Sequence, residues 1–269
     1  MYKLIAIDMD GTLLNSKKEI TQRTKDAIKA AREKGVYVVL ASGRPLEGLL
    51  KSLDQLELIT KNDYALSYNG CLVQNVATKE VISDITLKGS DLIDLLAHSK
   101  EVGVNIHSFS KDRGLITPKH SKYTQVEADI NDIDINIVSH DNINPEETIV
   151  KVMMIDEPEV LDAAMAKLPK ELWDKYSVAK STPFFLEFFN KESNKGLALD
   201  RLVKHLGITK EEVITIGDAM NDFPMIEYAG MGVAMGNAVP EIKAASQYIT
   251  DTNDNDGVAK AIEKLVLGL

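Results

Sequence analysis

An apolar run that ends in a pair of acidic residues opens this chain. Residues 4–7 are Leu-Ile-Ala-Ile, and Asp8-Met9-Asp10-Gly11-Thr12 follows directly. A short, wholly apolar run is typical of a strand buried on both faces, as in a parallel sheet. Ligands of open α/β sheets bind where such strands end. Two carboxylates one residue apart repel each other, so either a cation joins them or one keeps a proton. The sequence therefore predicts a buried strand that delivers two acids to the ligand edge of a sheet.

The pattern of the first 82 residues alternates between strand and helix, which predicts a parallel sheet with right-handed crossovers. The expected elements are a helix over 21–34, a strand over 36–40, a helix that starts at Pro45 and a strand over 64–67. The same alternation returns near the end of the chain. It predicts a helix over 195–205, a strand over 213–217 and a helix over 220–229.

The middle of the chain has a different pattern, with polar, alternating strands and helices over 91–102 and 157–168. This pattern indicates an α+β domain inserted into the first domain. We therefore predict an α/β fold, a doubly wound, Rossmann-like parallel sheet with an inserted α+β domain. The expected domains are a core over 1–82 and 187–269 and an insertion over 83–186.

Composition narrows the classes of partner and the compartment. The formal net charge of −10 disfavours binding to nucleic acid or to an anionic membrane, because such surfaces need clustered positive charge. The sequence has no apolar segment of membrane-spanning length and no signal-peptide pattern. Cys71 is the single cysteine, so no internal disulfide is possible. A single cysteine fits a reducing compartment, so these features together predict a cytoplasmic protein that binds neither nucleic acid nor a membrane.

Three further places carry groups suited to phosphate chemistry. Asp218 follows a second apolar strand in the segment 217–222, and its carboxylate could join Asp8 and Asp10 in a magnesium site. Asp218 and Asn221 are also good helix-capping residues, so this segment alone leaves both interpretations open. Ser42-Gly43 offers a hydroxyl and backbone N–H groups at the end of a strand, which would suit a phosphate, although taken alone it is more often an ordinary turn from strand to helix. Lys195 could neutralise a phosphate or an aspartate, although a lysine at the start of a helix usually points to solvent.

In this order the motifs resemble those of the haloacid dehalogenase superfamily phosphatases. That family carries D-x-D-x-T, then Ser or Thr, then Lys, then G-D-x-x-N-D, and the resemblance covers the whole chain. The large insertion resembles the cap domain of the Cof-type subfamily. The segments 151–158 and 226–230 look most similar to the YidA sugar phosphatases. We find no departure at the motif positions, since Ser42 keeps the hydroxyl that many relatives supply with Thr.

The resemblance implies a role for each motif residue. Asp8 would attack phosphorus, Asp10 would serve as general acid and then general base, and Lys195 would complete the catalytic set. Magnesium would be held by Asp8, the main-chain carbonyl of Asp10 and Asp218. The phosphate-binding groups would be Met9 through its amide, Ser42, Gly43, Lys195 and Asn221. Thr12 and Asp222 would support these groups, and Asn69, Gly70 and Glu187 would contact the rest of the substrate. Further candidates in the insertion are His107, Arg113, His120, Lys122 and Tyr123.

The expected function is hydrolysis of small phosphorylated metabolites, with sugar phosphates as substrates, Mg²⁺ as cofactor and an aspartyl-phosphate intermediate. A phosphomutase or phosphotransferase on the same core is an alternative, because the motifs do not distinguish water from an alcohol as the final acceptor. A non-enzymatic receiver phosphorylated on aspartate is a second alternative. Receivers need about half this length and lack an inserted domain, which disfavours this alternative. The protein is expected to be a monomer or a homodimer.

Overall fold

The computed structural model describes residues 1–269, apart from the side chain of His140. The chain divides into two compact units, which we call the core unit (Met1–Asp84 with Asn194–Leu269) and the inserted unit (Ile85–Ser193). The boundary expected after residue 186 falls inside a strand, Phe185–Asn190, whose residues pair with the inserted sheet as far as Asn190. The structure therefore places this boundary after Ser193, and the first boundary after Asp84 rather than after residue 82.

The strands form two separate sheets. In chain order they are β1 (Leu4–Asp8), β2 (Tyr37–Ala41), β3 (Tyr64–Ser67), β4 (Leu72–Asn75), β5 (Val81–Asp84), β6 (Leu87–Lys88), β7 (Asn105–Ser110), β8 (Gly114–Thr117), β9 (Ile135–Ile137), β10 (Thr148–Ile155), β11 (Tyr176–Thr182), β12 (Phe185–Asn190), β13 (Val213–Gly217), β14 (Met231–Ala234) and β15 (Tyr248–Ile249).

Helices follow most of these strands. They are α1 (Gln22–Glu33), α2 (Leu50–Gln55), α3 (Gly89–Val102), α4 (Lys122–Asn131), α5 (Pro158–Met165), α6 (Glu171–Lys175), α7 (Lys195–His205), α8 (Phe223–Tyr228), α9 (Pro240–Ala245) and α10 (Gly257–Ile262). No helix among the described residues is long and apolar enough to cross a lipid bilayer.

The core unit is built on a sheet in the order β15-β14-β13-β1-β2-β3-β4-β5. The strands from β15 to β3 run parallel, and β4 and β5 add an antiparallel edge. The central strand β1 is buried along its whole length and lies between β2 and β13. The predicted Rossmann-like core is confirmed. Asp8 is the last residue of β1, and Asp218 directly follows the neighbouring strand β13.

Alternate side chains of β1 supply two hydrophobic clusters on opposite faces of this sheet. Ile5 and Ile7 pack in the cluster that contains Ile28 of α1. Leu4 and Ala6 contribute to the other cluster with residues of α7. Burial of each large apolar side chain contributes about 1.5–3 kcal/mol, so both faces hold β1 firmly. A strand fixed in this way gives the acids at its carboxyl end a rigid base.

The inserted unit has a sheet in the order β11-β12-β10-β7-β8-β9, with β6 paired to β10. Only the β8–β9 pair is parallel among the described pairs of this sheet. Val152 and Met154 of β10 pack with residues of α3 and α5 in one hydrophobic cluster. Lys151, which directly precedes Val152, is buried without joining that cluster. The predicted α+β character of the insertion is therefore present, with a polar group inside it.

Three predicted helices have different bounds in the structure. The helix expected at Pro45 begins later, as a 3₁₀ turn at Glu47–Leu49 that continues into α2. The carbonyl of Arg44 accepts from the N–H of Tyr68, which directly follows β3. This carbonyl is therefore bonded to the end of the sheet and not to a helical N–H group. The helix expected over 220–229 is a 3₁₀ turn, Met220–Asp222, followed by α8, and the one expected over 157–168 is α5.

Candidate active site

A lysine with no exposed surface lies at the centre of the site. Lys195 is the first residue of α7, and Asn194 caps that helix by accepting from the Leu197 N–H at 2.8 Å. The Lys195 ammonium donates to Asp8 Oδ1 at 2.5 Å and to Asp222 Oδ1 at 2.6 Å. A buried ion costs several kcal/mol unless it is paired, and these two carboxylates supply the pairing. Burial alone would lower the pKa of Lys195, but the two carboxylates raise it to about 12.

Asp8 carries the opposite perturbation. Burial raises its pKa to about 7, with further increases from Asp222 and Asp218, although Lys195 opposes them. Three carboxylates face one ammonium group here, so the cluster has an excess of negative charge. A group that titrates near neutral pH at a sheet edge is typical of functional sites. The arrangement gives Asp8 a nearby cation and one oxygen, Oδ2, with no hydrogen bond among those described.

The third carboxylate, Asp218, follows β13 directly. Its Oδ1 accepts from the Thr12 hydroxyl at 2.8 Å, and burial raises its pKa above the usual range. One oxygen from each of Asp8, Asp218 and Asp222 lies within 4.8 Å of the others. Asp222 already accepts from Lys195 and from the N–H groups of Asp218 and Ala219. This leaves Asp8 and Asp218 as the carboxylates with a free oxygen, a donor set that fits a hard divalent cation such as Mg²⁺.

Asp10 is held by two cations that the sequence analysis did not select. Arg44 Nη2 donates to both Asp10 oxygens at 2.8 and 2.9 Å, and Arg44 Nε donates to Oδ2 at 3.2 Å. Lys18 Nζ donates to Oδ1 at 2.9 Å. Partial burial would raise the pKa of Asp10, but Lys18 and Arg44 hold it below its usual range. Arg44 directly follows Ser42-Gly43, and this position is the one sequence feature that could have indicated Arg44 as a site residue.

The loop after β2 reaches the same edge. Ser42 is buried, its N–H donates to the Leu66 carbonyl and its hydroxyl accepts from the Arg44 N–H at 3.2 Å. Asn69 Oδ1 accepts from Asn221 Nδ2 at 3.2 Å. Asn221 itself is exposed. Backbone N–H groups and amide side chains around one point suit an anion.

The structure thus brings together most of the predicted residues of the core unit. Met9 points its side chain into the hydrophobic core, which leaves its backbone for any contact with a ligand. Gly70 lies in a turn directly after Asn69. Glu187 belongs to β12 of the inserted unit, where it accepts from Lys151 at 3.3 Å and from the Ser181 hydroxyl at 3.0 Å. Glu187 is buried and engaged in this way, so a contact with substrate stays a prediction.

The other candidates in the inserted unit also have internal partners. Arg113 binds Glu147, and Lys122 and Tyr123 both contact Glu157. His120 lies 2.9 Å from Gln125 Oε1 on the surface. His107 is buried beside Met153 and Thr124. Burial, reinforced by Lys151, lowers the pKa of His107 to about 3, so this imidazole is neutral at physiological pH.

Comparison with known proteins agrees with this geometry. A family model described as haloacid dehalogenase-like hydrolase matches residues 5–262. The chain is 44% identical to YxeH of Bacillus subtilis (strain 168), over 99% of each protein. It is 33% identical to the 5-amino-6-(5-phospho-D-ribitylamino)uracil phosphatase YcsE of the same organism, over 98% of this chain and 96% of YcsE.

Solved structures show the same relationship. A haloacid dehalogenase-like hydrolase from Bacteroides thetaiotaomicron has a TM-score of 0.86 and 37% identity, with 98% of this chain and 100% of that chain covered. The HAD subclass IIB sugar phosphatase BT4131 has a TM-score of 0.77 and 26% identity, with 97% and 98% covered. These matches run along nearly the whole chain and confirm the resemblance of the motifs. The protein is a hydrolase of the haloacid dehalogenase-like family.

Proposed function

We propose that this protein is a Mg²⁺-dependent phosphatase that hydrolyses small sugar phosphates through an aspartyl-phosphate on Asp8. The observation that carries the proposal is the fully buried Lys195 ammonium between Asp8 and Asp222. A lysine held there by two carboxylates offsets the repulsion between an attacking carboxylate and a phosphate dianion. Positioning and charge stabilisation of this kind supply most of the catalysis in phosphoryl transfer.

In the first step, Asp8 Oδ2 attacks phosphorus and the bond from phosphorus to the ester oxygen breaks. The leaving alkoxide takes a proton from the Asp10 carboxyl group. In the second step, a water oxygen attacks the aspartyl-phosphate and Asp10 takes the water's proton. The bond from phosphorus to Asp8 then breaks, which releases inorganic phosphate and restores Asp8. Two easier displacements replace one difficult hydrolysis.

Asp10 must change partner during this cycle. The ion pairs with Arg44 and Lys18 favour its ionised form, which suits the second step but not the first. A substrate phosphate beside Arg44 would compete for the guanidinium, since phosphate accepts the same bidentate hydrogen bonds as a carboxylate. We propose that this competition frees Asp10 to carry a proton when substrate is bound.

The remaining groups hold the phosphate and the metal. Bound Mg²⁺, held by Asp8, Asp218 and the Asp10 carbonyl, would neutralise charge on the phosphate oxygens. Thr12 fixes the orientation of the Asp218 carboxylate through its 2.8 Å hydrogen bond. The Met9 and Gly43 amides, the Ser42 hydroxyl and the Asn221 carboxamide would donate to the non-bridging oxygens. Asp222 holds the Lys195 ammonium in place.

Sugar phosphates are the proposed substrates because BT4131 is named a sugar phosphatase and YcsE is named for a phosphate on a ribityl chain. The proposed role of the inserted unit is to discriminate among such substrates as a cap. Its ends allow a direct test, because Asp84 O accepts from Arg201 of α7 at 2.7 Å and Asn194 caps the start of α7. Both ends of the insertion therefore lie beside α7, where about 10 Å of helix separates residue 194 from residue 201, so a short Gly/Ser linker can join them. Replacement of residues 85–193 should keep hydrolysis of activated aryl esters but flatten the preference among sugar phosphates.

The central experiment is phosphate release from a panel of sugar phosphates, nucleotides and p-nitrophenyl phosphate, with MgCl₂ present. Wild type should favour sugar phosphates, and Asp8→Asn, which changes no volume and keeps an oxygen for Lys195, should be inactive on all of them. A second assay adds a free sugar as a competing acceptor and looks for sugar phosphate instead of inorganic phosphate. Activity retained by Asp8→Asn would contradict the nucleophile assignment, and transfer to the sugar would favour the phosphotransferase alternative.

A further inference from the structure

Three successive residues beside the active site have left-handed backbone conformations. Tyr68, Asn69 and Gly70 follow β3 directly and have φ values of 52°, 55° and 92°. Asn and Gly tolerate this region, but a bulky aromatic residue rarely adopts it. A bulky residue in this conformation is strained and persists only where its surroundings enforce it. We call residues 68–70 the strained turn.

Hydrogen bonds and close packing enforce this conformation from two sides. The Tyr68 N–H donates to the Arg44 carbonyl at 2.9 Å, and the Asn69 N–H donates to the Ser42 carbonyl at 2.8 Å. On the other side, a Cβ at Gly70 would lie 2.4 Å from the Asn194 carbonyl, at the start of the helix that carries Lys195. The strained turn therefore links the phosphate-binding loop after β2 to the start of α7.

The Asn69 side chain extends from this turn into the site. Its Oδ1 accepts from Asn221 Nδ2 at 3.2 Å. Its Nδ2 lies 3.1 Å from the position that a Cβ of Gly43 would take, next to the proposed phosphate cradle. No acceptor for Asn69 Nδ2 occurs among the described hydrogen bonds. The carboxamide thus has one end engaged and a free donor at the other.

We propose that Asn69 is a phosphate-positioning residue, which orients the Asn221 carboxamide through Oδ1 and donates from Nδ2 to a phosphate oxygen beside Gly43. The inference rests on the proposed function, because it assumes that the substrate phosphate binds at Ser42-Gly43. In the left-handed conformation of Asn69, the carboxamide lies between Gly43 and Asn221 while the backbone N–H donates to the Ser42 carbonyl.

Two substitutions separate the side chain from the turn. Asn69→Gly keeps the left-handed backbone and removes the carboxamide, so its melting temperature should stay close to wild type. Asn69→Asp keeps an acceptor for Asn221 but replaces the donor with a carboxylate that repels phosphate. Lys79→Gly is the matched control, because Lys79 also has a left-handed φ of 59° in the core unit but lies in a turn between β4 and β5.

The test measures binding of inorganic phosphate by calorimetry in the presence of Mg²⁺, together with kcat and KM for p-nitrophenyl phosphate. Asn69→Gly should weaken phosphate binding about ten- to hundredfold, the effect of one hydrogen bond to a charged group, and raise KM more than it lowers kcat. Asn69→Asp should bind phosphate more weakly still, and Lys79→Gly should match wild type.

Phosphate binding by Asn69→Gly equal to wild type would overturn the inference even if the enzyme hydrolyses its substrates normally. If Asn69→Gly and Asn69→Asp both lowered the melting temperature, and both weakened phosphate binding to the same extent, the residue would have a purely structural role and the inference would also be overturned. Wild type that binds phosphate tightly without hydrolysing any ester would instead count against the proposed function. In that case the weaker binding by Asn69→Gly would still support the phosphate contact.

Discussion

The Arg44 guanidinium donates three hydrogen bonds to the Asp10 carboxylate, two of them from Nη2 and one from Nε. Both side chains are partly exposed, at 33% for Arg44 and 43% for Asp10, so the pair can exchange partners with a ligand. Side-on binding by both Nη2 and Nε is a geometry that lysine cannot reproduce. Asp10, the proposed acid and base, is therefore held in its ionised form by a guanidinium, a group whose hydrogen-bond geometry also suits phosphate.

Asp10→Asn tests this role through the leaving group. The variant should lose about 10²–10⁴-fold in kcat for an alkyl phosphate, because the alkoxide no longer receives a proton in the first step. The loss should be much smaller for p-nitrophenyl phosphate, whose phenolate leaves without protonation, provided that the first step limits the rate. The measurement is the ratio of kcat values for the two substrates. Equal losses on both would remove Asp10 from the acid role, and Asp26→Asn, at an exposed position of α1, serves as the control.

Metal dependence is expected from the unbalanced charge around Asp8. Activity should disappear with EDTA and return with MgCl₂, since Asp8 and Asp218 otherwise repel both each other and the substrate. Excess Ca²⁺ should inhibit, because it accepts more ligands and looser geometry and would draw both Asp8 oxygens away from phosphorus. Turnover is measured across a titration of each metal. Full activity in excess EDTA would contradict the metal site and favour the capping interpretation of Asp218.

The arrangement of the core unit could be predicted because a few physical rules determine it. Apolar runs ending in Asp8 and just before Asp218 indicate buried parallel strands, and parallel strands share one ligand edge. A lysine at the start of a helix is electrostatically unfavourable because of the helix dipole. The ion pairs of Lys195 with Asp8 and Asp222 explain why it is tolerated there. In each case the sequence pattern lies within one loop, and the parallel sheet brings these loops together at one edge.

Other features could not be predicted because they depend on register and on loop conformation. The pairing of Arg44 with Asp10 requires two loops to meet, and no pattern within either loop encodes it. Tyr68 shows no sequence sign of its left-handed backbone, which its neighbours impose. Lys151 meets Glu127 and Glu187 only because α4, β10 and β12 are packed in a particular register. Such contacts arise from tertiary packing, which periodicity does not report.

The buried lysine of the inserted unit provides a stability prediction. Lys151 is 3% exposed, contacts Glu127 at 3.2 Å and Glu187 at 3.3 Å, and lies 4.8 Å from the centre of the Phe109 ring. Lys151→Met should cost about 3–5 kcal/mol, because it leaves two buried carboxylates without a cation. The measurement is urea unfolding followed by the fluorescence of Trp173, the only tryptophan, which lies in the inserted unit.

Two further variants make this prediction specific. The triple variant Glu127→Gln, Lys151→Met, Glu187→Gln should regain much of the loss, since no charge remains buried. Lys88→Met breaks the exposed pair with Glu146 in the same unit and should leave the free energy of unfolding close to that of wild type. A triple variant as unstable as Lys151→Met would show that the cost comes from packing around the lysine stem and not from the unpaired carboxylates.

The free energy of unfolding of the inserted unit should also decrease as the pH is lowered, because of His107. Burial lowers the pKa of this histidine to about 3, from an ordinary value of 6.5. Between these two pH values the unfolded chain therefore binds a proton at His107 that the folded chain does not bind. The contribution is fully present above pH 6.5 and is lost as the pH falls towards 3. Between pH 7 and pH 5 the loss amounts to about 2 kcal/mol. Unfolding of His107→Gln, followed by Trp173 fluorescence, should show a pH dependence weaker by that amount, whereas His120→Gln on the surface should match wild type. Identical slopes for wild type and His107→Gln would show that the carboxylates alone set the acid sensitivity of this unit.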